Sequence, residues 1–245
     1  MSDTIKVVVT EPGVWKPVGT GTNTSYYIPF GCYSNYTAAQ TIYHKEAVGI
    51  AEGQKIEGVI YPYGRGAGAN IAEYDLPVKV LAALTDQSDM AAALDEDAFS
   101  TVYEGTVYLS PDRQQTEIVF DTPIEYRGGN LCLMTINNNG SMVPGYVFLS
   151  TKTADVVSSQ YYQGTTPFDW EMAMKGEQLY ANATFLITGQ PTGVRGIADA
   201  ADEAGVADVF SISGQLIRKG VPLQSATDGL RPGIYIVGNK KIVVR

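Results

Sequence analysis

Apolar and polar residues alternate in short runs along most of the chain, and Gly, Pro, Asn or Asp bounds the runs. This is the pattern of half-buried strands separated by turns. Thr116-Glu117-Ile118-Val119-Phe120-Asp121 is the clearest case: a strand there sends Ile118 and Phe120 to one side, Glu117 and Asp121 to the other. The same reading places strands near Ile5–Thr10, Ser25–Pro29, Gln40–Tyr43, Lys55–Tyr63, Leu76–Ala83 and Thr101–Leu109. Further strands are expected near Gln115–Asp121, Asn130–Ile136, Gly145–Ser150, Gln160–Tyr162 and Ala181–Thr188. Asn137-Asn138-Asn139-Gly140 marks a turn after Ile136, because Asn-Gly supplies the positive φ that a hairpin needs. One segment, Ser88–Leu94, predicts a turn or two of helix inside the connection Thr85–Phe99. That connection is long for a bare loop, and Met90 and Leu94 give it something to bury.

About ten short strands at this spacing predict an all-β sandwich of two antiparallel sheets. The composition shifts at Gly189, where Gly, Ala, Asp and Glu replace the large apolar residues up to Gly205. Residues 189–205 therefore read as a linker. Beyond it, 206–245 returns to strands at Val206–Ser211, Gln215–Arg218, Ile234–Val237 and Ile242–Arg245, with turns at Ser213-Gly214, Pro232-Gly233 and Gly238-Asn239. Residues 1–14 form a preceding segment or an N-terminal strand, which suits a piece of a longer protein; 15–188 form the sandwich, and 206–245 a small C-terminal β module.

Composition narrows the function classes. Charged residues are 18% of the chain, while Tyr (16) and Gly (26) are abundant, a balance suited to pleated surfaces and tight turns. The net charge of −9 argues against nucleic acid and anionic lipid as partners. No apolar run approaches the ~20 residues needed for a membrane span. Cys32 and Cys132 suit either one disulfide in an exported protein or two buried thiols.

Candidate chemistry is sparse. His44 is the single histidine, and a Cys32–His44 nucleophile pair lacks any surrounding protease signature. One His and two distant Cys close no local zinc site. Gly64-Arg65-Gly66-Ala67-Gly68 has no Lys-Ser/Thr after it and reads as a hairpin tip. Asp86, Asp89, Asp95, Glu96 and Asp97 cluster in the long connection; the hard oxygens of Asp86, Asp89, Asp95 and Asp97 suit calcium, the one cofactor considered, though without an Asp-x-Asp-x-Asp-Gly loop. Glu104, Glu117, Glu125 and Glu171 single out no catalytic pair. Aromatics are the strongest binding feature: Tyr26, Tyr27, Tyr33 and Tyr36 early, then Tyr161, Tyr162, Phe168 and Trp170, the last in a polar, Pro-bearing loop.

Two segments carry a resemblance. Gly19–Pro29, Tyr33–Thr37, Gln40–Tyr43 and Val48-Gly49 are followed in order by Ile56–Tyr63, Val102–Val107 and Asp121–Leu131. Together they resemble jelly-roll domains of large Bacteroidetes surface proteins, which are similar to cleaved-adhesin (haemagglutinin) domains. Ala207–Gln215, Leu230–Val237 and Lys240–Arg245 are similar to the C-terminal sorting domains of the type IX secretion family. The resemblance implies a jelly-roll-like β-sandwich, secreted or held at the outer-membrane cell surface, in a larger exported protein.

The function expected first is therefore a non-catalytic, adhesin-like module that binds a host or bacterial surface protein. A carbohydrate-binding module, with Trp170 and the Tyr161–Tyr162 pair as platform, and a structural spacer follow. An enzyme ranks last.

Overall fold

The computed structural model describes residues 13–66, 72–189, 205–211, 215–230, 233–237 and 240–244. The expected strand Ile5–Thr10, the linker after Gly189, the end of the 64–68 tip and the turns at Ser213-Gly214 and Gly238-Asn239 lie outside them. The first unit carries β1 (Val14–Val18), β2 (Asn23–Ser25), β3 (Tyr36–Tyr43), a helical turn α1 (Lys45–Val48), β4 (Lys55–Arg65), β5 (Tyr74–Thr85) and β6 (Ser100–Leu109). It continues through β7 (Gln115–Glu125), β8 (Asn130–Asn137), β9 (Tyr146–Lys152), β10 (Ser159–Gly164), β11 (Lys175–Glu177), β12 (Leu179–Ala181) and β13 (Ala183–Thr188). A second unit holds β14 (Val206–Ser211), β15 (Leu216–Pro222), β16 (Gly233–Val237) and β17 (Lys240–Val244). No helix among the described residues is long and apolar enough to cross a membrane.

The first unit is an all-β sandwich. One sheet runs β1-β13-β4-β9-β12, with β7 paired to β4 and β2 to β9; the other runs β11-β10-β3-β8-β5-β6. The quartets β1-β13-β4-β7 and β3-β8-β5-β6 exchange the chain between sheets, from β3 to β4, β4 to β5, β6 to β7 and β7 to β8. That order is the double Greek key of a jelly roll. Strand β7 behaves as its alternation requires: Thr116, Ile118 and Phe120 are buried, Glu117, Val119 and Asp121 exposed. Ile56, Val59, Ile118, Phe185 and Ile187 face Val78, Val80, Leu131 and Leu133 in one continuous core. Aromatic rings lock its middle: Tyr43 meets Phe185 edge-on at 5.1 Å, and Phe30 meets Tyr61 at 5.8 Å and Phe148 at 5.7 Å. Each such pair adds about 1 kcal/mol beyond the area it buries. The Tyr43 hydroxyl donates to the Ala181 carbonyl at 3.0 Å, so its polar end is satisfied. Among the described residues no buried side-chain nitrogen or oxygen lacks a partner.

The six-stranded sheet is buried on its outer face as well. Ala38, Ile42, Leu81, Ala83, Cys132 and Met134 point away from the core and are all nearly inaccessible. Two connections cover them. The 86–99 segment lays Met90, Leu94 and Phe99 over Ile42, Ala83 and Cys132. The 165–174 segment lays Phe168, Trp170 and Met174 over Ala38, Leu81 and Met134. Met90 is thus fully buried and Leu94 partly so, in line with the expectation that the connection has something to bury. Ser88–Leu94 is not helical, however. The Gln40 amide holds the Leu94 backbone from both sides, donating to its carbonyl at 2.9 Å and accepting from its N–H at 2.7 Å. The Met90 N–H donates to Val157 O at 2.7 Å and Met90 O accepts from Gln160 Nε2 at 2.6 Å. Asp89 Oδ1 takes the Ala91 N–H at 2.9 Å. These bonds use the backbone groups that a helix would pair internally.

Other departures have equally local causes. Strand β1 escaped the sequence reading because Pro17 interrupts it. As an edge strand with β13 as its sheet partner, β1 tolerates a residue without an N–H. The expected strand Ser25–Pro29 ends at Ser25, whose hydroxyl accepts from the N–H groups of Tyr27 (3.1 Å) and Ile28 (3.2 Å) and bends the chain. Gly140 has the positive φ (+74°) foreseen for the Asn-Gly turn, but the chain then crosses to β9 in the other sheet instead of closing a hairpin. Cys32 and Cys132 are free; the first lies in the inter-sheet core, the second beneath Met90 on the outer face of β8.

The second unit is a four-stranded antiparallel sheet, β15-β14-β16-β17. Its core is small, centred on Val209, Ala226 and Val237. Arg218 ties its turn by donating to Asp228 O at 2.7 Å.

Burial of acidic protons sets an alkaline limit. Desolvation raises the Cys32 thiol from 9.0 to about 12 and raises the Cys132 thiol and the Tyr43 and Tyr61 hydroxyls as well. Each group holds its proton more tightly folded than unfolded, so its contribution is complete below about pH 9 and declines as pH rises towards the folded value. The urea midpoint is expected to hold flat from pH 6 to 8.5 and to fall steadily above pH 9. Cys32→Ala should reduce the first part of that slope, up to about 1.4 kcal/mol per pH unit.

Candidate binding surfaces

Strand periodicity decides the fate of the expected aromatic platform. Tyr161 and Tyr162 are neighbours on β10, so they point to opposite faces. Tyr161 turns inward, is 8% exposed, and stacks on Tyr27 with centroids 4.2 Å apart and planes 7° apart. Tyr162 turns outward, and its hydroxyl donates to Thr166 O at 3.0 Å. The two form no shared platform, which corrects that expectation.

Phe168 and Trp170 do join Tyr162. Tyr162 and Phe168 lie 5.6 Å apart, Phe168 and Trp170 5.5 Å, and Trp170 and Phe99 5.7 Å. The interplanar angles are 56°, 72° and 37°, so the rings interlock and present no common plane to a ligand. Their inner sides rest on Ala38, Leu81 and Met134. The cluster is first of all a lid over the sheet. Of the early tyrosines, Tyr26 is 44% exposed and meets Tyr33 edge-on at 4.9 Å. Tyr33 and Tyr36 are half-buried, and the Tyr33 hydroxyl accepts from the Gly145 N–H at 3.2 Å.

Reactive groups are scattered. Cys32 is sealed in the core with a raised thiol pKa, whereas His44 is exposed at the start of α1. Asp86, Asp89, Asp95 and Asp97 are not gathered: among the described residues no group of three or more His, Cys, Asp or Glu is placed to hold a metal ion. Glu104 pairs with Lys79 at 3.6 Å, and Glu125 with Lys55 at 3.4 Å and Arg127 at 3.2 Å. Those cations hold the Glu125 carboxyl below its usual range, Arg127 contributing most. Glu117 and Glu171 are exposed.

The outer face of the other sheet carries a feature that the sequence reading missed. In the registers of β1, β13, β4 and β7, Trp15 lies beside Leu186, Leu186 beside Gly58, and Gly58 beside Val119. The inward row next to it is Phe185, Val59 and Ile118, so this row faces out. Trp15 is 38% and Val119 57% exposed. The row crosses three inter-strand gaps, roughly 14 Å at ~4.8 Å each. Ile60 and Pro17 extend it on the neighbouring outward row. Acids and hydroxyls flank it: Glu57, accepting from the Thr188 hydroxyl at 2.8 Å, and the exposed Glu117 and Asp121. Only the cross-strand registers bring Trp15 and Val119 together, and no local motif encodes those.

No family model matches the chain, and no curated protein matches it. Among solved structures, the cysteine protease and lectin-like domains of Cwp84, a surface-layer-associated protein of Clostridium difficile, align at 10% identity. The TM-score is 0.38, covering 64% of this chain and 33% of that one. Clostridial cysteine protease Cwp84 after propeptide cleavage aligns at 9% identity with a TM-score of 0.43, covering 73% and 41%. The chain thus spans well under half of either neighbour's length.

The two tryptophans are expected to separate by stability. Trp170→Ala should lower the unfolding free energy by about 2 kcal/mol or more, because it uncovers the sheet beneath. Trp15→Ala should change it by less than about 1 kcal/mol. Urea denaturation of the two variants measures both.

Proposed function

We propose that the chain is a non-catalytic, adhesin-like binding module of a larger exported bacterial protein, working at the cell surface. The carrying observation is the open apolar row Trp15–Leu186–Val119 with its acidic rim, on the one face of the quartet β1-β13-β4-β7 that turns away from the core. Its occupant is a protein surface of opposite character: apolar at the centre, with Lys and Arg around it. The likeness of residues 15–188 to adhesin domains supports the same reading. Cys32 is sealed in the core while His44 is exposed, so these two do not form a nucleophile pair. The four-stranded C-terminal unit serves export sorting on this reading, in keeping with the resemblance of 206–245 to type IX sorting domains.

Retention of the fluorescently labelled chain on intact epithelial cells and on immobilised matrix proteins tests the binding role. Retention should weaken with added salt and fall at least tenfold in Trp15→Ala and Val119→Asp. Unchanged retention in both variants would remove this face from the account. No retention of the unmodified chain on any of these surfaces would leave a structural spacer. Deleting residues 206–245 in the native bacterium should abolish surface display, read by antibody labelling of whole cells; undiminished display would reject the sorting role.

A further inference from the structure

A trough of about 790 Å³ opens at the other end of the first sheet, where β2 and β12 flank the end of β9. Six polar side chains line it: Thr22, Asn23, Thr24, Lys152, Glu177 and Gln178. None of these side chains forms a hydrogen bond or ion pair with another described residue. The backbone behind them is tied down. Thr153 N–H donates to Gln178 O and Ser158 N–H to Glu177 O, each at 2.9 Å. Asn182 Nδ2 donates to Gly21 O at 2.7 Å, and the Gly21 N–H donates to the Thr151 hydroxyl at 2.8 Å, which fixes the approach to Thr22–Thr24. The walls are therefore rigid while the side-chain donors and acceptors stand unspent. With the backbone held, only the exposed side chains of Thr22, Asn23, Thr24, Lys152 and Gln178 remain to be ordered on binding.

The chemistry of the lining selects the ligand. One ammonium and one carboxylate cancel, so the trough carries no net charge to favour an ion. Two primary amides and two hydroxyls supply donors and acceptors in comparable number. Val157 and Leu179 add an apolar strip against which C–H groups can lie. Partial burial alone raises the Glu177 carboxyl above its ordinary 4.5, in keeping with a group set back from bulk water and lacking a cationic partner. A ligand matching this set is uncharged, rich in hydroxyl groups, and apolar on its ring faces.

We infer that this trough is a binding site for a neutral oligosaccharide, with Asn23, Gln178 and Glu177 as its main hydrogen-bonding contacts. The site is separate from the Trp15 row and does not depend on the protein-partner reading. A glycan array probed with the intact chain tests it, followed by calorimetric titration of the strongest neutral oligosaccharide. The double substitution Asn23→Ala with Gln178→Ala should weaken that binding at least tenfold while leaving the urea midpoint unchanged, since neither side chain serves the fold. Trp15→Ala should leave it within twofold. The inference is overturned by an array with no neutral-glycan signal, even where protein binding persists. It is overturned equally by affinity that survives the double substitution within twofold, or by binding that Trp15→Ala removes and the double substitution spares.

Discussion

The six-stranded sheet is apolar on both faces, and this one constraint organises the molecule. Its inner face is satisfied by the facing sheet. Its outer face has no sheet to meet, and exposing Ile42, Leu81, Cys132 and Met134 together would leave a large apolar patch in water. The chain resolves this with its two long connections. Apolar side chains supply the cover, but a connection laid on an apolar face also brings its own peptide groups out of water. Gln40 and Gln160 answer that cost by rising from the sheet to hold the backbone of Leu94 and Met90. The aromatic cluster around Trp170 follows from the same need, which is why its rings interlock instead of lying flat.

The division of labour between the two sheets follows. One is wrapped on both sides and rigid. The other keeps its outer side open and mixes apolar and acidic groups there. The two candidate surfaces differ in chemistry as well as place: a flat apolar row with an acidic rim suits a protein, and a polar trough with balanced charge suits a sugar.

Much of the fold could be read from the residues, because most strands alternate cleanly and most turns carry Gly or Asn. Gln115–Asp121 and Val206–Ser211 are examples, and Met90 and Leu94 were legible as the apolar anchors of their connection. What escaped was decided by tertiary context. Pro17 hid β1, since a proline has no N–H to give a ladder and suits an edge strand such as this one. Ser88–Leu94 looks helical by its Ala run, but distant glutamines outbid the helix for its backbone. The expected aromatic pair failed on the simplest strand rule, adjacent residues facing apart, whereas Tyr162, Phe168 and Trp170 meet as a cover over the sheet. The Trp15 row was invisible because register across four strands is a property of the assembled sheet.

The antiparallel match of β1 with β13 has a mechanical meaning. Val14 sits beside Ile187, so the chain enters and leaves the sandwich at the same end of one ladder. Tension applied through those two exits loads the hydrogen bonds one after another, as in opening a zipper, instead of shearing the ladder all at once. A link built this way yields at low force and lengthens by releasing β1.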